Sequence, residues 1–261
     1  MNNILLIDAD PFMYMDGGKE NIEEAKNSIE NRLISMLNDT GTTRFILCFS
    51  TGVQIRKIIY PDYKANRKVD KPTLYIQIHD WLWNNFHCFG ATMLEADDCV
   101  SILKGLLPDS TVCSIDKDVL HQVVGKNYDF KYRKDENNNL IIGRWVDTDN
   151  DDAAYFLYKQ LLMGDSTDNI KGLKGIGSKK ADKILENGLE SALPAYINKL
   201  GTVEGTAKFV ETFNLVYIKR KIEEVPNKSE ICFEEVPVME LIEVEGEEPF
   251  FKLSEKINLL K

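Results

Sequence analysis

Three carboxylates, Glu95, Asp97 and Asp98, crowd the start of an apolar helical pattern formed by Val100, Ile102, Leu103, Leu106 and Leu107. A first helical turn suits carboxylates, because its unpaired N–H groups and the helix dipole favour negative charge. Three exceed what one cap requires. Glu95 and Asp98 fall on one face, so their charges repel unless a proton or a cation intervenes, and a hard divalent ion is the usual remedy. An over-acidic capping turn is the plainer alternative. Acids recur elsewhere in comparable settings: Asp8 and Asp10 after the apolar residues 4–7, Asp116 and Asp118 after residues 110–115, and Asp165 and Asp168 in a Gly-Asp-Ser-Thr-Asp-Asn stretch.

A second texture separates the first acids from the acidic helix. Residues 54–72 interleave six Lys/Arg with Tyr60 and Tyr63, against only two Asp. Phosphate-contacting surfaces have this make-up, with cations for the backbone and rings for bases, although an isolated charge run is more often a solvated loop. An acidic metal site beside a basic clamp is what phosphodiester chemistry needs: ions to activate water and stabilise the leaving oxygen, and cations to hold the strand. A third element follows Asp168. Gly172, Gly175 and Gly177 lead through Ser178, Lys179 and Lys180 into a helical pattern at Ala181, Ile184 and Leu185. Glycines before a helix let backbone N–H groups approach a phosphate, and lysines add counter-charge. The dinucleotide and nucleotide-hydrolase fingerprints are absent. With a helix before the glycines, the unit suits a grip on a duplex backbone that reads no bases, and a helix-terminating turn is the alternative.

The elements that must position these groups are legible from periodicity. Residues 3–7, 44–49 and 110–115 are short apolar runs, as buried parallel strands require, with a helix expected from about 20 to 37 and the acidic helix before the third run. Strands alternating with helices predict a parallel sheet with right-handed crossovers and a site at the strands' carboxyl ends. Asp8, Asp116 and Asp118 therefore share one edge. Residues 128–132 and 140–145 flank a polar turn and predict a hairpin, a helix is expected over 151–163, and more helices over 189–217. The acidic remainder from 223, strand-like over 230–244, is expected to be a solvated wrap or partner surface. The division is 1–150 for an α/β domain with a basic arch or loop at about 53–90, 151–222 for a helical part, and 223–261 for the tail.

Bulk composition is permissive. The 261 residues, 43% hydrophobic, suffice for a sizeable core, and no apolar run approaches a membrane span. A soluble cytoplasmic monomer is the expectation. The five scattered cysteines read as reduced buried thiols, and the three histidines as packing or surface residues. The net charge of −10 argues against a nucleic-acid partner only if the acids face it.

Five segments in order, Leu6-Ile7-Asp8, Tyr63-Lys64-Ala65-Asn66-Arg67, Glu95-Ala96-Asp97-Asp98, Ser114 to Asp118, and Gly164 to Asn169 with its Gly-rich turn, resemble the motif series of the flap-endonuclease/5′→3′ exonuclease family. The likeness spans about residues 4–185 and is strongest to phage-encoded 5′→3′ exonucleases and the 5′-nuclease domain of bacterial DNA polymerase I. It implies a PIN-like α/β fold with a helix-three-turn-helix, and a two-metal nuclease acting on 5′ ends of duplex or flapped DNA, with RNA–DNA hybrids and replication proteins as further partners. By motif match, Asp8, Glu95, Asp97, Asp98 and Asp116 would surround one Mg²⁺ or Mn²⁺, and Asp118, Asp165 and Asp168 would serve a second. Lys64 and Arg67 match the pair that steers the scissile phosphate, with Asp116 counted beside them among the catalytic residues and Tyr63 and Lys68 beside the DNA. Gly172, Gly175, Gly177, Ser178, Lys179 and Lys180 match the duplex grip, which often holds K⁺. One position departs: where the family ends its second strand in a metal-holding aspartate, this chain has Ser50 and Thr51, so Asp10 or a water would substitute. The rival reading is a catalytically weak DNA-binding replication scaffold on the same fold.

Overall fold

The computed structural model describes residues 4–67, 70–134, 140–224 and 231–234. Strand β1 (Ile4–Asp8) is buried along its whole length, as an apolar run must be when helices cover both faces of its sheet. Helix α1 (Asp10–Met15) follows at once, with Pro11 in the first turn where a missing N–H costs nothing. The Asn21 side chain caps α2 (Ile22–Thr40) by accepting from Glu24 N–H, and Gly41 ends it in the left-handed conformation at φ 67°. Strand β2 (Arg44–Thr51) leads to the short α3 (Ile55–Ile59) and a series of turns, then to α4 (Tyr75–Asn85) and β3 (Cys88–Thr92). Next come α5 (Ala96–Leu106), β4 (Thr111–Ser114) and α6 (Lys117–Gln122), and then the antiparallel β5 (Gly125–Lys134) and β6 (Leu140–Thr148).

Beyond the hairpin the chain is largely helical. Asp149 caps α7 (Asn150–Met163), which runs into a two-stranded ribbon, β7 (Gly164–Asp165) and β8 (Ile170–Lys171). Helices α8 (Ser178–Leu185), α9 (Ala192–Leu200) and α10 (Thr202–Val216) follow, and β9 (Ile231–Glu234) returns to the sheet.

The sheet order is β6-β5-β4-β1-β2-β3-β9, parallel from β5 to β3 and antiparallel at both edges. Alternate residues of β1 face opposite layers. Leu5 and Ile7 pack with Ile29 and Leu33 of α2 and Ile78 and Leu82 of α4, whereas Ile4 and Leu6 pack with Ile102 and Leu103 of α5. Cys48, Cys88, Cys99 and Cys113 are buried free thiols, and no described helix is long and apolar enough to cross a membrane.

Two expectations about elements change. The segment from 53 to 90 is not all arch: α4 buries Ile78 and Leu82 in the core, and β3 is an interior strand of the sheet. Its Cys-Phe-Gly-Ala-Thr sequence lacks the continuous aliphatic run seen in β1, and its place rests on backbone pairing with β2 and β9. The acidic tail is not wholly a solvated wrap, since β9 pairs with β3. The rest of the expected strand to 244, and the tip of the predicted hairpin turn, lie outside the described residues.

Candidate active site

The chain runs β1, β2, β3 to one side of the sheet and then crosses back to β4 on the other side of β1. The strand order thus reverses between β1 and β4, and the crevice beyond the carboxyl ends at such a reversal is where open parallel sheets bind ligands. Asp8 ends β1. Ser114, the last residue of β4, donates from Oγ to Asp8 Oδ2 at 2.9 Å and accepts from Asp116 N–H at 3.0 Å. Asp116 then caps α6, taking Asp118 N–H at 2.8 Å. One serine therefore joins the two strand ends and aims Asp8 and Asp116 along a common edge.

Burial pushes Asp8, Asp10, Asp97 and Asp116 above the ordinary carboxylate range, and repulsion adds to it: Asp8 feels Asp10 and Asp116, while Asp97 feels Asp116 and Asp8. Asp118 rises to about 6 through burial and the charge of Asp116. Asp8 Oδ1 is buried without a hydrogen-bond partner. An orphaned carboxylate oxygen amid like charges is the donor set a hard divalent cation satisfies. Among the described residues, no group of three or more His, Cys, Asp or Glu is gathered tightly enough to grip an ion unaided. The acids share an edge and a repulsive field, not a closed cage.

Asp98 departs from the expected ligand set. It is fully buried, and both its oxygens face Arg56, at 2.6 Å from Nη1 and 2.9 Å from Nη2. It also accepts from the N–H groups of Glu95 and Lys219. With four donors around it, Asp98 is a structural anchor and not an open ligand. Arg56, read from sequence as part of the phosphate-facing run, is buried for the same reason: Nη1 also reaches Glu95 Oε2 at 2.8 Å, while Nε and Nη2 donate to the carbonyls of Leu215 and Tyr217. Tyr63 is likewise no base-stacking ring. It is 3% exposed, and its hydroxyl donates to Glu95 Oε2 at 2.8 Å and lies 3.1 Å from Asp168 Oδ2. Burial opposes the Glu95 charge, yet Arg56 and Lys64 hold its pKa down to about 2.

Lys64 and Arg67 both reach the acidic edge from the loop after α3. Lys64, left-handed at φ 57°, bonds through its N–H to Asp168 O at 2.9 Å, and the Asn66 and Asn169 side chains bond Ser166 O and Asp62 O. These bonds lace the basic loop to the 165–169 loop. The Lys64 ammonium lies 2.5 Å from Glu95 Oε1 and 3.7 Å from Asp168 Oδ2, and Arg67 pairs with Asp168. Lys68 lies outside the described residues. Asp165 and Asp118 form the other margin. Asp165 Oδ2 accepts from Lys117 Nζ at 2.7 Å, which holds its pKa low against the cost of burial. Gln160 Nε2 donates to Asp118 Oδ1 at 2.8 Å.

The Gly-rich turn divides in two. Gly172 packs so closely on the end of α7 that a Cβ there would lie 2.2 Å from Gly164 N, so it serves packing and not a phosphate. Gly175, at φ 80°, and Gly177 open outward ahead of the exposed Ser178, Lys179 and Lys180. Lys180 Nζ donates to Gly175 O, and Lys199 Nζ to Lys174 O. Ser50 is occupied as well: its Oγ accepts from Ala96 N–H at 2.9 Å, and its own N–H donates to Asp10 Oδ1 at 3.2 Å. Asp10 therefore stands beside the position of the missing aspartate. Sequence reasoning passed over Gln160, Gln122 and Ser114. A glutamine beside Leu157 and Leu161 on the buried side of α7 is the one signal it offered.

Residues 5–147 match the family model described as 5′-3′ exonuclease, N-terminal resolvase-like domain. The chain is 32% identical over 156 residues to a DNA polymerase I of Caldicellulosiruptor bescii, covering 52% of this chain and 17% of the polymerase. It is 30% identical over 186 residues to a 5′-3′ exonuclease of Bacillus subtilis, covering 67% of this chain and 62% of that protein. The chain thus spans less than two thirds of either relative. In fold it resembles the bacteriophage T5 D15 flap endonuclease, solved as a pseudo-enzyme-product complex with DNA and metal ions, at TM-score 0.61 and 17% identity over 82% of this chain and 89% of that one.

Proposed function

Because this chain belongs to the 5′-3′ exonuclease family through its N-terminal resolvase-like domain, we propose that it is a divalent-metal-dependent nuclease that hydrolyses DNA phosphodiesters from 5′ ends, as an exonuclease and a flap endonuclease. The observation that carries this reading is the edge of raised-pKa carboxylates Asp8, Asp97 and Asp116 with Lys64 and Arg67 reaching its margin from one loop.

In this reading Asp8, Asp97 and Asp116, with Asp10 and Glu95 beside them, hold one Mg²⁺ or Mn²⁺, and Asp118, Asp165 and Asp168 serve a second. Such ions, when bound, supply Lewis acidity to an attacking water and to the leaving oxygen. The chain's own side chains do the rest. Lys64 and Arg67 exchange their carboxylate partners for the scissile phosphate and orient it over the edge. Arg56 and Tyr63 keep Glu95 ionised and fixed while this happens. Gly175, Gly177, Ser178, Lys179 and Lys180 present N–H groups and positive charge to the duplex backbone at the start of α8. K⁺ at that turn would have to displace the ammonium groups of Lys180 and Lys199, which already serve the carbonyls of Gly175 and Lys174. Residues 1–150 supply most of the cutting edge, and 151–222 add Asp165 and Asp168 to it and hold the duplex. The cellular setting is replication, repair or phage DNA metabolism, with RNA–DNA hybrids as a second substrate class.

The second reading, a replication scaffold that binds without cutting, is favoured by Ser50, whose hydroxyl serves the α5 N-terminus where a ligand is expected. Cleavage of 5′-end-labelled and internally labelled duplexes, with and without a 5′ flap, in Mg²⁺ or Mn²⁺ separates the two. The nuclease releases mononucleotides or a flap fragment, and Asp116→Ala and Asp168→Ala abolish this. Salt-sensitive duplex binding with no cleavage in either ion would leave the scaffold.

A further inference from the structure

Gln160 is nearly buried on α7, and Gln122 is 1% exposed at the end of α6. Together they form a chain of amides whose polarity is dictated at both ends. Gln122 Nε2 donates to Val216 O at 2.9 Å, and Gln122 Oε1 accepts from Ile218 N–H at 3.3 Å. The backbone leaving α10 thus sets which way the Gln122 amide points. Gln122 Nε2 also donates to Gln160 Oε1 at 2.9 Å, so the Gln160 oxygen must face inward and its NH₂ outward. That NH₂ meets carboxylates alone: Asp118 Oδ1 at 2.8 Å and Asp165 Oδ2 at 3.5 Å. A flipped Gln160 would set its oxygen against Asp118 and a donor against a donor.

We infer that Gln160 is a positioning residue for the Asp118–Asp165 pair, oriented through Gln122 by the backbone of residues 216–218. It acts as a neutral donor. It fixes both carboxylates without cancelling the charge that an ion needs, unlike Lys117, whose exposed ammonium adds charge to the same pair. The same backbone carries the opposite margin, since Arg56 bonds the carbonyls of Leu215 and Tyr217, and Lys219 N–H bonds Asp98. Five consecutive residues, 215–219, therefore anchor both ends of the acidic edge.

The inference rests on the reading of Asp118 and Asp165 as ion-holding groups, and the experiment separates the two. Mn²⁺ binding to the full chain without DNA is measured by calorimetry, alongside cleavage as a function of Mn²⁺, for wild type, Gln160→Met, Gln122→Met, the double variant and Thr212→Ala. Methionine keeps the volume and removes the amide. Thr212, buried on α10 and donating to Lys208 O, makes none of the hydrogen bonds of the amide chain and supplies a variant that is destabilised with the relay's own groups in place. Gln160→Met weakens the affected Mn²⁺ site by about tenfold or more, with cleavage recovering at high Mn²⁺. Gln122→Met weakens it less, and the double variant is no worse than Gln160→Met alone, because the groups act in series. Thr212→Ala lowers the Tm and leaves Mn²⁺ affinity in place. Unchanged affinity in Gln160→Met, or an equal loss in Thr212→Ala, overturns the inference. If Gln160→Met does not fold, wild-type affinity in a folded Gln122→Met overturns it. A wild type that neither binds Mn²⁺ nor cuts overturns the underlying nuclease reading as well.

Discussion

Asp97 and Asp98 are neighbours in the first turn of α5, yet they meet opposite fates. Asp98 is enclosed by Arg56 and two backbone N–H groups, whereas Asp97, about 100° away around the helix, faces Asp116 and Asp8 and is driven well above its ordinary pKa. The contrast extends across the site. Glu95 and Asp165 have fixed or tethered cations and low pKa values, while Asp8, Asp10, Asp116 and Asp118 are raised. A carboxylate enclosed by a buried protein cation, as Asp98 is by Arg56, holds the fold together. One set among its own kind stores repulsion that an external cation can relieve.

The sharpest separation comes from substituting the two neighbours. Asp97→Asn should reduce cleavage by roughly a thousandfold or more, since several kcal/mol of charge stabilisation are lost, and should leave the Tm in chelator unchanged or higher. Asp98→Ala should instead destabilise the fold by about 3–5 kcal/mol, because it strands the buried Arg56 guanidinium, as denaturant unfolding would show. An Asp98→Ala variant that folded normally and lost only activity would place Asp98 with the ion-holding acids instead.

A smaller effect is expected from pH in the presence of chelator. For a carboxylate whose folded pKa is raised, the native state binds more protons than the unfolded chain between the two pKa values, so stability increases as pH falls. The Tm should therefore rise as pH is lowered from about 7 through the Asp118 pKa of about 6. Glu95 has the opposite sign, and its contribution erodes below about pH 4.5, towards its folded value of about 2. Saturating Mn²⁺ should flatten the rise. A Tm that fell steadily from pH 7 to 5 would show that the acids are not in net repulsion.

The smallest change concerns the duplex grip. Lys179→Ala should weaken duplex binding alike for all sequences and reduce the slope of log K against log[salt] by about one, as loss of a single phosphate contact does. Gly172→Ala, by contrast, should act through stability, because its Cβ meets backbone.

Much of this arrangement is legible along the chain. Unalternating apolar runs ending in Asp8 and just before Asp116 require buried parallel strands, and parallel strands bring those ends to one edge. The Tyr-Lys-Ala-Asn-Arg segment marks a basic loop, and its Lys64 and Arg67 pair with Glu95 and Asp168. Local pattern carries no such signal for Asp98, Tyr63 or Arg56. A positive charge in a basic run looks solvated until its partners, Asp98 and the carbonyls around the end of α10, arrive from 42 to 161 residues away. β3 escapes notice for a related reason, since backbone pairing and not side-chain pattern recruits it, and the strand-like start of the tail gives no sign that β3 is its partner.

Residue order alone thus settles the inventory: strand ends rich in acid, a cationic loop, a glycine turn before a helix. Those are consequences of periodicity and composition within a few residues of each other. Which acids face the crevice, which are neutralised inside, and which serine, tyrosine or glutamine holds them depend on contacts between distant segments. Tertiary packing alone brings those segments within hydrogen-bond reach, and at that range geometry decides whether a charge finds a partner or a rival.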